Sequence, residues 1–519
     1  MKKNYTFYYD ILTLLVCIAG ITLSRFLMNF GMGMLVFRLL ALGSWKEKWE
    51  NIKRQKTILL VLLSFFGLHL VGLLWSENLS FGIDEIVRKI AFLIIPITIA
   101  AISPLPKETL RCAFWGFILA VLIGTIWGSI VLITTPYADP RDLISSTSHI
   151  RFSLNTVLAI LLLSKITIVN KDRITPFFKI ISFLLVIWFF TYMVLTQAMT
   201  GFVILFIFLA IYLPYYFLKN KKGIIPNIIF TLYIIAIISS SIWVYKEYKF
   251  YFTPNEIYKK ELLSTTPDKG IYIHNTENKL IENGNYLYRY CCFDEIMREW
   301  EKKTGLDANK YLNVLVRYMN SKSPYKDAKR FRELSDKDIE NIKNNIANVV
   351  YAEKLSIKPR LYKIFYQLNC FNLEGRVKGF SEFQRFELWT NTKEVIKDNF
   401  IIGTGTGDIT DKFEQKLGER HSELYGSKLK SHNEYLYIFA TFGIIGSLIF
   451  IFWLIYPAIN KGLLNNYIYF VFFFIIILSM LTEDTLDNLA GMMFYIFFNC
   501  IILFNSSTIK EFIPKEKVT

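Results

Sequence analysis

The chain has 519 residues, 53% of them hydrophobic and 20% charged, with a formal net charge of +16. A soluble chain of this length spreads its apolar residues at helix or strand period over several cores. Here they are bunched into blocks of roughly 17–25 residues, the length that crosses a bilayer core as a helix, which excludes an ordinary soluble enzyme.

In chain order the blocks lie at about 8–24, 26–42, 57–75, 88–103, 110–134, 152–169, 177–196, 200–217, 225–245, 433–456, 465–482 and 487–505. Inside a bilayer the backbone must satisfy its own hydrogen bonds, so each block is predicted to be a helix. The expected fold is an all-α polytopic membrane protein of about 12 transmembrane helices, with a large, mainly helical loop domain between the ninth and tenth. The first block starts just after Met1-Lys2-Lys3, and no small-residue cleavage site is evident before the second, so the first helix is expected to remain as an anchor.

The short loops orient the helices. Lys46, Lys48, Lys53, Arg54 and Lys56 follow the second block, Lys171, Asp172 and Arg173 the sixth, and Lys219, Lys221 and Lys222 the eighth. Lys461 follows the tenth, and Lys510, Lys515 and Lys517 end the chain. All fall on one side, which the positive-inside rule makes cytoplasmic. The expected division is 1–245 for helices one to nine, 246–432 for a periplasmic loop domain, 433–505 for the last three helices and 506–519 for a cytoplasmic tail. The net charge therefore calls for no nucleic acid. Part of it anchors the cytoplasmic face, and part lies on the outer segment, facing membrane lipids, a phosphate-bearing substrate or only solvent.

Cys17, Cys112 and Cys500 lie in apolar blocks and read as small buried residues. Cys291, Cys292 and Cys370 lie in the outer segment, where one disulfide to Cys370 is permitted from either of the adjacent pair. The outer segment reads as helical over Tyr286 to Thr304, Lys326 to Ala347 and Phe380 to Asn399, and as irregular from Tyr251 to Asn285.

Of five histidines, His69 lies inside the third block and is expected to be packed and hydrogen-bonded, while His274 and His421 read as solvent-exposed. His149, in Ser148-His149-Ile150-Arg151, and His432, in Ser431-His432-Asn433-Glu434-Tyr435-Leu436, each sit at the outer mouth of a span. Ionisable groups at that depth are costly unless they line a cavity or meet a partner, so both are functional candidates. Gly403-Thr404-Gly405-Thr406-Gly407-Asp408 lacks the strand-turn-helix frame and the Gly-Lys-Ser/Thr ending of a nucleotide loop, and reads as a tight turn. Glu483, Asp484 and Asp487 share a helix face if helical and have metal-ligand chemistry, but a hydrated loop is the simpler reading.

The order Arg385-Phe-Glu-Leu-Trp389, Asp398-Asn-Phe-Ile-Ile-Gly403-Thr-Gly405-Thr-Gly407, His432-Asn-Glu-Tyr-Leu436 and Phe442-Gly-Ile-Ile-Gly446 resembles the O-antigen ligase and polymerase superfamily of bacterial membrane glycosyltransferases. Ser148-His149-Ile150-Arg151 and Thr482-Glu483 with Gly491 match more loosely, and residues 250–375 match nothing in it. The resemblance implies transfer of a glycan from undecaprenyl diphosphate to an acceptor hydroxyl, such as lipid A-core, at the periplasmic face of the inner membrane. It implies an essential histidine at His432, and it matches Arg385 to an arginine before the end of the loop. Relatives commonly carry an arginine before the Thr-Gly between spans seven and eight, where this chain has Gln197-Ala198-Met199-Thr200-Gly201.

That chemistry needs the charge of a leaving diphosphate stabilised as it develops, and guanidinium grips phosphate oxygens bidentately. Arg385 and Arg151 are the candidates for this task, with His432 to position or deprotonate the acceptor hydroxyl. His149, Gln197, Lys428, Lys430 and Glu483 are supporting candidates; the two lysines, if close, would disfavour protonation of His432. No metal and no soluble cofactor are expected. A polymerase or a protein-modifying transferase differs only in acceptor. A lipid-linked sugar flippase is the alternative of another class, and should show inverted repeats and charged or broken helices near the midplane.

Overall fold

The computed structural model describes residues 2–135, 148–169, 176–219, 224–354 and 356–512. The charged loops at 171–173 and 221–222, and the lysines at 515 and 517, lie outside the described residues. Each apolar block carries a helix: Lys2–Leu23, Arg25–Ala41, Lys56–Val71, Ala91–Ile102, Lys107–Thr134, His149–Val169, Pro176–Leu195, Met199–Lys219, Ile224–Phe252, Glu434–Asn460, Tyr467–Ser479 and Leu489–Phe504. Among the described residues, five helices are long and apolar enough to cross a membrane, or six if a bent pair counts as one span. The protein is a mainly helical, multi-pass membrane protein.

Three helices differ from the sequence reading. The fourth block forms a helix of only 12 residues, Ala91–Ile102, about 18 Å long at 1.5 Å per residue, because Lys89 breaks the apolar run and is drawn into a polar cluster. The lysine-rich stretch after the second block is not a plain loop. Gly43 takes φ +86°, and the chain turns by 112° into the helix Trp45–Arg54, whose Trp45 and Trp49 are exposed beside Lys48 and Lys53 as in an interfacial helix. The ninth helix runs on to Phe252.

The chain forms two compact units. One holds Met1–Val131, Arg141–Phe206 and Gln384–Thr519; the other holds Leu132–Pro140 and Ile207–Phe383. In the first, Phe65, Phe92, Phe450, Trp453 and Tyr495 pack as one aromatic cluster, and the Trp453 indole donates to Leu62 O at 3.0 Å. His69 is buried as expected, its Nδ1 2.8 Å from Phe65 O and its ring edge-on to Phe442.

The second unit is mainly helical. Tyr286, expected to open a helix, instead closes a two-stranded hairpin, Ile281–Glu282 with Asn285–Tyr286. Asn283 and Gly284 both take positive φ, which such a tight turn requires, and the helix starts only at Phe293. The helix expected from Lys326 to Ala347 is split into Ala328–Arg332 and Asp336–Lys343, because Ser335 and Asp338 form a capping box that restarts it. His274 is half-buried rather than exposed, with Nε2 2.8 Å from Leu263 O and Nδ1 accepting from Tyr290 N. Cys291, Cys292 and Cys370 are buried free thiols, so the permitted disulfide is not formed, and Cys112 is exposed rather than buried.

The glycine-threonine turn has a structural task in the first unit. At Gly443 (φ +62°, ψ −165°) the Glu434–Asn460 helix breaks. The orphaned carbonyls of Ala440 and Thr441 accept from Thr404 N and Gly405 N, each at 2.9 Å. The orphaned amides of Ile444 and Ile445 donate to Phe400 O and Ile401 O. Residues 400–405 thus splice into the helix and satisfy its broken ladder. A Cβ at Gly403 would collide with the backbone of Thr441 and Phe442, and one at Gly443 with Ile401. The turn ends at Asp408, whose carboxylate accepts from Glu77 N and Asn78 N.

Candidate active site

The loop between the Tyr467–Ser479 and Leu489–Phe504 helices organises the site. Asn488 caps the second helix by accepting from Gly491 N at 3.0 Å, and Gly491 has no Cβ, so Thr485 O packs directly on the first turn. The loop between these caps folds inward. Glu483 and Asp484 are buried, which overturns the reading of a hydrated loop. Buried carboxylates need donors, and each has them.

Asp484 fixes the segment before the Glu434–Asn460 helix. Its Oδ1 accepts from Ser431 Oγ (2.9 Å) and Asn433 N (3.0 Å), and its Oδ2 accepts from His432 N (3.0 Å). These bonds hold His432 at φ +49°, a conformation uncommon for a non-glycine residue. Burial raises the Asp484 pKa above the usual carboxylate range, against the opposing pull of His432, Ser431 Oγ and the backbone amide.

Glu483 joins the three principal candidates. Its Oε1 accepts from Arg385 Nη2 at 2.6 Å, while Arg151 Nη1 and His432 Nδ1 lie 3.7 and 3.9 Å from its Oε2. Arg151 also donates to Asp484 O (3.3 Å) and Asn488 Oδ1 (3.4 Å). Among the described residues, Arg151 Nη1 and Arg385 Nε are buried without a hydrogen-bond partner. The His432 side chain keeps 33% exposure, against 8% for Glu483, so the imidazole is the accessible edge of a buried charge cluster.

Lys430 takes a different place. Its ammonium donates to Asp487 Oδ1 (2.9 Å) and Glu85 Oε1 (3.2 Å), and Lys89 donates to the same Asp487 oxygen (3.2 Å) and to Leu486 O (2.7 Å). Burial opposes the charge on Lys430, but the Tyr437 hydroxyl and the Asp487 and Glu85 carboxylates outweigh it and hold its pKa above the usual lysine value. Burial likewise opposes the charge on Asp487, and Lys89 and Lys430 overcome it, holding the carboxyl well below its usual range. Lys428 is exposed, and among the described residues its ammonium makes no hydrogen bond or ion pair; its backbone amide donates to Glu414 Oε1. The His432 Nδ1 instead lies 3.9 Å from Glu483 Oε2 and 4.0 Å from Asp484 Oδ2, while the Lys430 ammonium is engaged by Asp487 and Glu85.

His149 lines a small pocket with Ser153, Thr156, Tyr192 and Thr196, beside the turn in which Gln197 takes φ +51°. Ser148-His149-Ile150-Arg151 thus serves two places, one residue facing this pocket and the other meeting Glu483. The sequence reading missed Asp484, Asp487, Lys89 and Glu85 as members of the cluster. A lysine at the edge of an apolar block, next to Arg88, was the available signal for Lys89.

Two guanidiniums and an imidazole around one carboxylate make an anion site with an adjacent base, suited to grip phosphate oxygens and take a proton nearby. No curated protein matches the chain. Residues 331–451 match the family model described as O-antigen ligase, a stretch that includes Arg385, the spliced glycine turn and His432. That match covers less than a quarter of the chain, and over it the chain is similar to the O-antigen ligase family.

Proposed function

We propose that the protein transfers an oligo- or polysaccharide from undecaprenyl diphosphate to a hydroxyl of lipid A-core at the periplasmic face of the inner membrane. The single observation that carries this reading is the convergence of Arg385, Arg151 and His432 on Glu483, with two guanidinium nitrogens left without acceptors among the described residues. A diphosphate supplies the oxygens those donors lack.

In the step, His432 takes the proton of the acceptor hydroxyl, and that oxygen forms the new bond to the anomeric carbon. The bond from that carbon to the carrier's phosphate oxygen breaks, and the electron pair leaves on the diphosphate. Arg385 and Arg151 stabilise this charge as it grows, without need of a metal. Glu483 orients the two arginines, and the Asp484 bonds hold the His432 backbone ready. His149 and the Gln197 turn line the neighbouring pocket and act in positioning the donor. The carrier's tail lies along the apolar helices, and residues 246–432 lie outside the membrane.

The test is reconstitution of the purified chain with undecaprenyl diphosphate-linked glycan and lipid A-core. Glycosylated lipid A-core should appear together with free undecaprenyl diphosphate. Glycan lengthening on its carrier instead would identify a polymerase, and movement of intact donor across the bilayer without bond cleavage would identify a transporter.

A further inference from the structure

An apolar cavity of about 70 Å³, counted as space open to the centre of a water-sized sphere, lies in the first unit, walled by Ile18, Leu110, Phe117, Leu162, Phe472 and Phe498 among others, every one of them apolar. One water needs about 10–15 Å³ on that measure, so the space is on the scale of a short piece of alkyl chain.

Three helices lead to it from the Glu483 cluster. The His149–Val169 helix starts beside Arg151 and reaches the cavity at Leu158 and Leu162. The Leu489–Phe504 helix starts at Asn488 and reaches it at Phe498, Ile501 and Ile502. The Tyr467–Ser479 helix runs the other way, with Ile468 and Phe472 on the cavity wall near its start. At about 1.5 Å per residue, the cavity lies roughly 10–20 Å along the bundle from the cluster, toward the opposite membrane face.

Two lysines head the helix stripes that line the cavity. Lys107, Leu110, Phe114 and Phe117 follow one another at steps of three, four and three, so Lys107 heads the stripe that lines the cavity. Leu158, Leu162 and Lys165 repeat the pattern toward the end of the His149–Val169 helix. Lys165 Nζ lies 5.1 Å over the ring of Tyr467, the neighbour of Ile468 in the wall. An apolar slot whose lining stripes are headed by two lysines is complementary to an amphiphile with an anionic head.

We infer that this cavity takes one acyl chain of an anionic phospholipid from the leaflet opposite the Glu483 cluster, with the lipid phosphate met by Lys107 and Lys165. The inference rests on the membrane placement of the helices and not on the transferase reading. The carrier's own tail is the competing occupant, since its diphosphate would sit at the other end.

The experiment is native mass spectrometry of the full chain in mild detergent, with phosphatidylglycerol, phosphatidylethanolamine and undecaprenyl phosphate as probes. Phosphatidylglycerol should be retained over phosphatidylethanolamine. Lys107→Gln with Lys165→Gln should cut that preference by about 25-fold, since a lysine near anionic lipid contributes about fivefold. Ala113→Trp, which fills the cavity from its wall, should abolish retention of phosphatidylglycerol. Unchanged preference in the double lysine variant overturns the inference, and this variant changes no core residue. So does an Ala113→Trp protein that keeps phosphatidylglycerol and loses undecaprenyl phosphate.

Discussion

Arg385 donates to Glu483 across 2.6 Å, and this bond ties a helix from the middle of the chain to the loop before its last membrane helix. The geometry makes a plain prediction for Arg385→Lys. An ammonium can keep the ion pair with Glu483 but cannot also present a second planar donor to a phosphate. The variant should accumulate normally and lose about 10- to 100-fold in transfer rate, the worth of a hydrogen bond to a charged group. Full activity in the reconstituted assay would remove Arg385 from the donor site.

His432→Gln keeps side-chain size and hydrogen bonding but cannot take a proton. Its backbone is held by Asp484 through the amide, which the substitution leaves in place. Membrane abundance should match the parent, with transfer reduced on the order of 10²–10⁴-fold. His149→Gln, whose ring faces the neighbouring pocket, should show a smaller loss in the same assay. Near-normal turnover by the His432 variant would end its catalytic assignment.

Asp487 gives a pH signature. Its pKa in the folded protein is depressed, so its stabilisation is complete above the unfolded value near 3.9 and is lost only as pH falls through the folded value. Asp487→Asn strips Lys89 and Lys430 of their shared partner, at a cost of about 3–5 kcal/mol. The gap in thermal stability between parent and variant should stay flat from about pH 8 to 5 and shrink below pH 4. A gap that closes already near neutrality would contradict the ion-pair network.

Gly443 occupies a region of φ and ψ open almost only to glycine, and the backbone of Ile401 fills the space a Cβ needs. Gly443→Ala should cost about 1–3 kcal/mol in backbone strain alone, with the collision added. Thermal inactivation in detergent reads this directly: the half-life should fall sharply, while Gly67→Ala, at a position with open space, leaves it unchanged.

Reporter fusions check the orientation on which the proposed function depends. Fusions at Lys53 and Lys461 should read as cytoplasmic, and one at Asn320 as external. A cytoplasmic Asn320 would place the second unit on the wrong side for a donor used outside.

The sequence by itself determined the helices, because a bilayer leaves a long apolar run no other way to satisfy its backbone. It also pointed to His432, Arg385 and Arg151, through residue order around the glycine turn and through the rarity of ionisable groups at a membrane mouth. Asn283-Gly284 was a legible hairpin signal that the helical pattern after Tyr286 obscured. What only the tertiary structure decided is the partnership of charges. Glu483, Asp484 and Asp487 look like any polar loop until helices distant in sequence bring Arg385, Arg151, Lys89 and Lys430 to them. The splice of 400–405 into the break at Gly443 was equally hidden. Local sequence fixes backbone preference, but a buried charge or an orphaned carbonyl finds its partner only through packing, and no periodicity records which one it will be.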